Sequence, residues 1–300
     1  MAIAPGETAF TDLRRRHQVR RWSVVPWQFA RRKPIGAFGA AIILVVIFLG
    51  FFAEVVAPRR YDDFNIPERL LGPSFDTPFG TDNQGRDVFS RVIYGSRTTV
   101  QIGFGAIIVA TVVKTVIGVT SGYFGGRFDI LLQRVIDIWM AFPGLIFIIF
   151  LVSIMGASTK TLVITLGLLF SAGSSRVVRS ATIVIKQNPY VEAAKAIGAS
   201  DLRIILVHIL PNVVPIIIIT ASVQIGAVIL LESSLSFLGY GTPPPFPSWG
   251  RMLNEARRDM QDNPHLTVFP GLAIALTVYA FNMFGDALRD VLDPRLRGSR

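Results

Sequence analysis

The sequence predicts an all-α integral membrane protein with six transmembrane helices, and three observations carry that prediction. Of 300 residues, 51% are hydrophobic and only 17% are charged. Mean hydropathy is +0.50, too high for an ordinary water-soluble domain. Apolar runs long enough to cross a bilayer recur along the whole chain, which favours one continuous membrane domain over two soluble ones. The basic residues, which give a formal net charge of +10, flank those runs instead of forming a separate nucleic-acid-binding face.

The first run, Ile35 to Ala53, is 19 residues without a charge. As a helix it measures roughly 28 Å, close to the hydrocarbon thickness of a bilayer. It lies too far from the start, behind Arg31, Arg32 and Lys33, to read as a cleaved signal peptide, so a retained anchor is expected. Span two is Thr98 to Ser121, apolar apart from Lys114, and span three is the uncharged run Ile138 to Thr159. Span four, Thr161 to Ser175, is short and bracketed by Lys160 and Arg176, which must snorkel unless the helix sits inside the bundle. Spans five and six are Ile209 to Leu231, with Pro211 and Pro215 in its first turns, and Leu266 to Gly285.

An even number of spans places both termini on one side. Of 30 basic residues, 19 lie in segments 1–33, 122–137, 176–208 and 286–300, and 10 lie in the intervening segments. By the positive-inside rule the termini are cytoplasmic, with Arg14, Arg15 and Arg16 placed to meet anionic lipid headgroups of the bilayer. The external loop after span one carries Pro58, Pro67, Pro73 and Pro78. It then offers a short amphipathic helix with Val88, Phe89, Val92 and Ile93 on one face, suited to the membrane surface. Pro243, Pro244, Pro245 and Pro247 favour a stiff extended stretch in the last external segment, suited to a gate rim or docking surface.

Several chemistries are excluded. Without cysteine there is no disulfide, thiolate metal site or cysteine nucleophile. His17, His208 and His265 are far apart and form no metal-binding pattern, so no metal is expected. No GxxxxGK[ST] loop occurs, so this chain has no nucleotide site of its own and no catalytic residues are assigned.

The segment between spans four and five, Lys186 to Asn212, reads as two helices and a bend. Asn188 is a good N-cap, Pro189 a good first helical residue, and Glu192 lies where the helix dipole favours an anion. Ala193, Ala194 and Ala196 are strong helix formers, and Gly198 fits a left-handed C-terminal cap. Ser200 or Asp201 caps the next helix, which runs into span five with Pro211 kinking or restarting it. Cap signals alone would describe an ordinary loop with a helical turn. The pattern Glu192-Ala193-Ala194, Gly198, then His208-Ile209-Leu210-Pro211 adds more. It resembles the EAA motif of permeases from binding-protein-dependent ATP-binding cassette importers, and its His-x-Leu-Pro-Asn ending resembles the dipeptide, oligopeptide and nickel branch.

Further segments are similar to that branch: Gly80-Thr81-Asp82 with Gly85-Arg86-Asp87, Ser236-Phe237-Leu238-Gly239 with Pro247-Ser248-Trp249-Gly250, and Asp286 to Asp290 with Leu292 to Arg295. The resemblance runs from Pro34 to Arg295 and implies a type I ABC importer permease fold. The implied domains are a basic cytoplasmic segment, 1–33, whose role is open, and a first helix with a long external loop, 34–97. A type-1 permease domain, 98–295, and a cytoplasmic tail, 296–300, follow. Glu192, Ala193, Ala194, Gly198, Leu210 and Pro211 would form the coupling element that docks on an ATPase. The implied partners are a second homologous permease, two ATPase subunits that hold ATP and Mg, and an extracytoplasmic peptide-binding protein, all at a bacterial inner membrane. Peptides lead as substrates, with nickel complexes and glutathione-like solutes as alternatives.

Lys114 is a candidate for the translocation path; the reading favoured by the sequence is that it snorkels or pairs at a helix interface. Glu54, Glu232 and Asp286 fall at span ends and read as interface anchors. Trp139 and Trp249 read as interfacial aromatics. Gly118 with Gly122, and Gly36 with Gly39, read as helix-packing residues. A proton-coupled carrier would need midplane carboxylates or histidines, and a membrane scaffold would need no structured loop to an ATPase. The loop disfavours both.

Overall fold

The computed structural model describes residue 31 and residues 33–292; the expectations for Arg14 to Arg16, for Arg32 and for the segment beyond Leu292 lie outside these residues. Helices dominate, and among the described residues the only β-type pairing is an isolated bridge between Thr81 and Asp87. In chain order the helices of eight residues or more are α1 (Pro34–Phe51), α2 (Val88–Phe124), α3 (Gly126–Ala141), α4 (Gly144–Met155) and α5 (Thr159–Lys186). They continue with α6 (Pro189–Ala196), α7 (Asp201–Phe237), α8 (Trp249–Ala256) and α9 (His265–Leu292). Five of them, α1, α2, α5, α7 and α9, are long and apolar enough to cross a bilayer.

Span three is not one helix. The chain turns by 89° between α3 and α4, so six crossings result only if this bent pair counts as one. Pro143 stands at the N-terminus of α4, where its fixed φ and missing N–H are tolerated, and α3 ends at Ala141 before it. With 12 residues α4 is roughly 18 Å long, too short to cross alone.

Span four is also corrected: α5 has 28 residues and continues past Arg176 to Lys186. Its arginines pair with acids of α3. Arg179 donates from Nε and Nη2 to Asp129 at 2.6 and 2.5 Å, and Arg176 pairs with Asp137, both acids on α3. The surface helix expected around Val88 is instead the first turns of α2, capped by Asp87, whose Oδ2 accepts the Ser90 N–H at 2.8 Å. Val88 and Ile93 are buried.

The bundle packs through small residues. Gly118 and Gly122 of α2 lie so close to the Ser175–Thr182 stretch of α5 that an added Cβ would meet the Ser175 and Arg179 carbonyls. The central core is aliphatic, with Ile102, Ala106, Ile148, Leu162, Leu166 and Val228 buried together. A second cluster at the end carrying α6 holds Val119, Tyr123, Val178, Val191, Ala194, Ile204 and Ile209. Large apolar side chains such as Phe38, Leu44, Ile108, Val112 and Phe150 point outward, as a lipid-facing surface requires.

At the opposite end the loop after α1 folds over α2 and α8. Asp82 accepts Arg86 Nε at 2.7 Å and also Arg91 Nη1; Glu255 accepts Arg86 Nη2 at 2.8 Å, Arg91 Nη2 at 2.9 Å and Arg251 Nε at 2.9 Å. Trp249 is buried, not interfacial: its Nε1 donates to the Val92 carbonyl at 2.9 Å. Glu232 is likewise no surface anchor. It is buried within α7 and accepts Ser236 Oγ at 2.7 Å. Glu54 pairs with Arg97 at 2.9 Å, and Asp286 is exposed.

Candidate functional site

The segment between α5 and α7 adopts the two helices and bend that its punctuation predicts. Pro189 opens α6 at its first position, behind Asn188 in extended conformation. The Asn188 side chain does not cap α6; its Nδ2 donates to the Ile185 carbonyl at 2.9 Å, at the end of α5, where the Asn188 backbone N–H also donates at 3.1 Å. Val191 and Ala194 face inward, whereas Glu192, Ala193, Lys195 and Ala196 are exposed. The helix is therefore held by a narrow apolar edge and presents the rest of its circumference outward.

Gly198 terminates it with φ +78°. The Gly198 N–H donates to the Lys195 carbonyl at 2.9 Å and the Ala199 N–H to the Ala194 carbonyl at 3.0 Å, the paired bonds of a Schellman turn. A side chain at this φ is strained whatever the space around it. Ser200 takes the N-cap position of α7, without a side-chain capping bond. From Ile205 to Ile209 the helix widens to a π-turn, in which the Leu210 N–H reaches back five residues to Ile205. This irregular turn immediately precedes Pro211, which cannot donate a helical N–H. Exposed Ile197, Leu202, Leu206 and Val207, with half-exposed Tyr190, leave an apolar surface around α6.

Tyr123, at the end of α2, was not singled out by the sequence pattern. Its hydroxyl donates to Asp201 Oδ1 at 2.6 Å, and its carbonyl accepts Lys186 Nζ at 2.5 Å. The Lys186 and Lys195 ammonium groups lie 5.4 and 5.3 Å from its ring centroid. One residue thus touches the end of α5, the helix α6 and the start of α7. Two residues earlier, Ser121 Oγ donates to Asp129 and accepts Gln133 Nε2 at 3.0 Å, which joins α2 to the bent pair.

The two helices joined by α6 also wall a cavity of about 670 Å³. Leu169, Phe170 and Ser174 come from α5, Thr220 and Gln224 from α7, and Trp139 and Phe142 from the bend between α3 and α4. Among the described lining residues Arg289 carries the single formal charge. Lys114 is fully buried behind this wall, donating to Thr220 Oγ1 at 2.8 Å and Gln224 Oε1 at 3.4 Å. It thus pairs at a helix interface and reaches the cavity only through these two residues.

Residues 114–298 match the family described as binding-protein-dependent transport system inner membrane component. The chain belongs to that family. It is 41% identical over 273 residues to the glutathione transport system permease protein GsiD of Escherichia coli, covering 91% of this chain and 90% of that one. The protein of the same name from Pectobacterium atrosepticum is 40% identical over 272 residues, covering 90% of each. The MetNI methionine ABC transporter in inward-facing conformations shares the fold, with a TM-score of 0.55 and 16% identity over 68% of this chain and 96% of that chain. This family member is therefore a multi-pass inner-membrane permease of an ABC importer, working with ATPase and substrate-binding partners; ATP hydrolysis lies in separate subunits.

Proposed function

We propose that this permease carries short peptides or peptide-like solutes such as glutathione inward, and that α6 is where the ATPase drives it. The observation that carries the reading is the connectivity of α6. It is exposed around most of its circumference, and the helices leaving its two ends, α5 and α7, are walls of the cavity. A displacement of α6 therefore acts on both walls at once. Glu192, Ala193 and Ala194 supply the docking helix, Gly198 the turn that sets its angle, and Leu210 and Pro211 the start of the regular part of α7.

In this reading ATP and Mg bind only on two partner ATPase subunits, whose closure pushes α6. A second homologous permease completes the pathway, an extracytoplasmic binding protein delivers solute, and both termini of this chain are cytoplasmic. The type-1 permease domain is 98–295. The cavity, apolar apart from a few hydroxyl and amide groups and Arg289, has the size and lining of a small-solute site, with Lys114 fixing Thr220 and Gln224 in its wall. The similarity to glutathione permeases supports the solute class.

The test exploits the absence of cysteine. In Ala193→Cys the new thiol lies on the exposed side of α6. In inverted vesicles containing the assembled complex, a thiol-directed bifunctional cross-linker is expected to join this residue to the ATPase subunit. Cross-linking only to external proteins, or none in a complex that still transports, contradicts the assignment.

A further inference from the structure

We infer that Tyr123 is a positioning residue of the transport cycle: it locks the coupling turn to the end of α2, so that movement of α6 reaches α2 and the bent pair as well as α5 and α7. This rests on the reading of α6 as the driven element. The covalent chain connects α6 directly to α5 and α7 alone. The helix α2 has no such connection, yet its end is held at three points by one side chain and its carbonyl. The Tyr123 hydroxyl is bonded to Asp201 at 2.6 Å, immediately after the Gly198 turn, and Lys186 is bonded to the Tyr123 carbonyl at 2.5 Å. Lys195, on α6 itself, places its ammonium 5.3 Å from the ring centroid.

These contacts are directional, and Tyr123 itself is 2% exposed, with Asp201 and Lys195 reaching it from exposed positions. A hydroxyl bonded to a carboxylate is short and strong, and its geometry fixes the distance between the two helix ends. Apolar contacts alone would let α6 slide over α2. From there the linkage continues through Ser121 to Asp129 and so to α3, whose far end is the bend carrying Trp139 and Phe142 on the cavity wall. The cavity walls contributed by α5, α7 and the bent pair are thereby tied to a single input.

The experiment uses the complete complex with its cognate ATPases and binding protein in proteoliposomes, with glutathione as the probe. Uptake and ATP hydrolysis are measured together, giving solute moved per ATP. Tyr123→Phe keeps the ring and its cation contacts and removes only the hydroxyl. The expected result is a several-fold fall in solute per ATP, in a complex that assembles and melts close to the parent. If the hydroxyl served only the stability of the folded chain, the variant would lose melting temperature or yield and keep the parental ratio, which overturns the inference; a parental ratio with parental melting, as a packing role of the ring alone would give, overturns it equally. Asp201→Ala removes the same bond from an exposed position and reads it independently should Tyr123→Phe not assemble; a parental ratio there also overturns it. The double variant is expected to be no worse than either single one, and multiplying defects would contradict a shared bond. A parent complex without ATP-driven glutathione uptake would instead remove the underlying functional reading, and this inference with it.

Discussion

The two ends of the molecule are fastened by opposite means. At the end formed by the loop after α1, by α8 and by the first turns of α2, a network joins buried Asp82, Arg86 and Arg91 to partly buried Glu255 and Arg251. At the other end α6 is a free-standing helix of eight residues, held by Val191, Ala194, a glycine turn and the contacts of Tyr123. Breaking a buried charge network leaves uncompensated charges, so that end has few cheap alternative arrangements. A short helix on a narrow apolar edge has many. On the proposed reading of α6, the difference gives holding to one end and movement to the other.

The largest effect expected from breaking this contrast is at Glu255. Glu255→Ala leaves Arg86 and Arg91 buried with one acid between them, and such losses cost about 3–5 kcal/mol. A sharp fall in the detergent melting temperature is expected, measured by tryptophan fluorescence. The solute-per-ATP ratio of the surviving complexes should match the parent. A normal melting temperature would mean that the network does not hold this end.

Acid provides a milder version of the same break. Burial by itself pushes the Glu255 carboxyl up, but Arg91, Arg86 and Arg251 outweigh burial and hold it below the ordinary glutamate value of 4.5. Its folded-state pKa is therefore depressed. The stability that it supplies is fully present above about 4.5 and is lost as pH falls through the lower folded value. The melting temperature of the parent should accordingly approach that of Glu255→Gln as pH drops below 4.5, with the two well separated at neutral pH. A constant separation across that window would contradict the assignment.

The two ends also differ in how far the sequence discloses them. The features of α6 are local. Pro189 and Gly198 act through their own backbone preferences, so start, stop and turn were all legible. Asn188 occupied its expected place, but its side chain turned back onto the Ile185 carbonyl of α5, a contact made by the folded end of that helix. The opposite end is built from partners far apart in sequence. Nothing near Trp249 indicates that its indole N–H would meet the Val92 carbonyl, and nothing near Glu232 distinguishes a buried carboxyl from a surface one.

Span boundaries failed for two reasons. Counting charge-free residues passed over Pro143, whose fixed φ and missing N–H were a local signal for the break, and a charge at Arg176 looks like an end when its acid, Asp137, lies 39 residues earlier. Tyr123 was missed because a single tyrosine at a helix end carries no local signal. Only the folded chain brings Lys186, Lys195 and Asp201 around it.

The smallest change in folding energy tests the central claim most directly. Gly198→Val places a β-branched side chain at φ +78° and should cost about 1 kcal/mol or more in the turn, with every span intact. The variant and parent are reconstituted with their ATPases and binding protein, and assembly, uptake and hydrolysis stimulated by loaded binding protein are measured side by side. Normal expression of the chain is predicted, with either loss of the ATPase from the purified complex or retained assembly whose hydrolysis no longer responds to the loaded binding protein. Parental assembly, uptake and stimulated hydrolysis in Gly198→Val would contradict the assignment of α6 as the mechanical link.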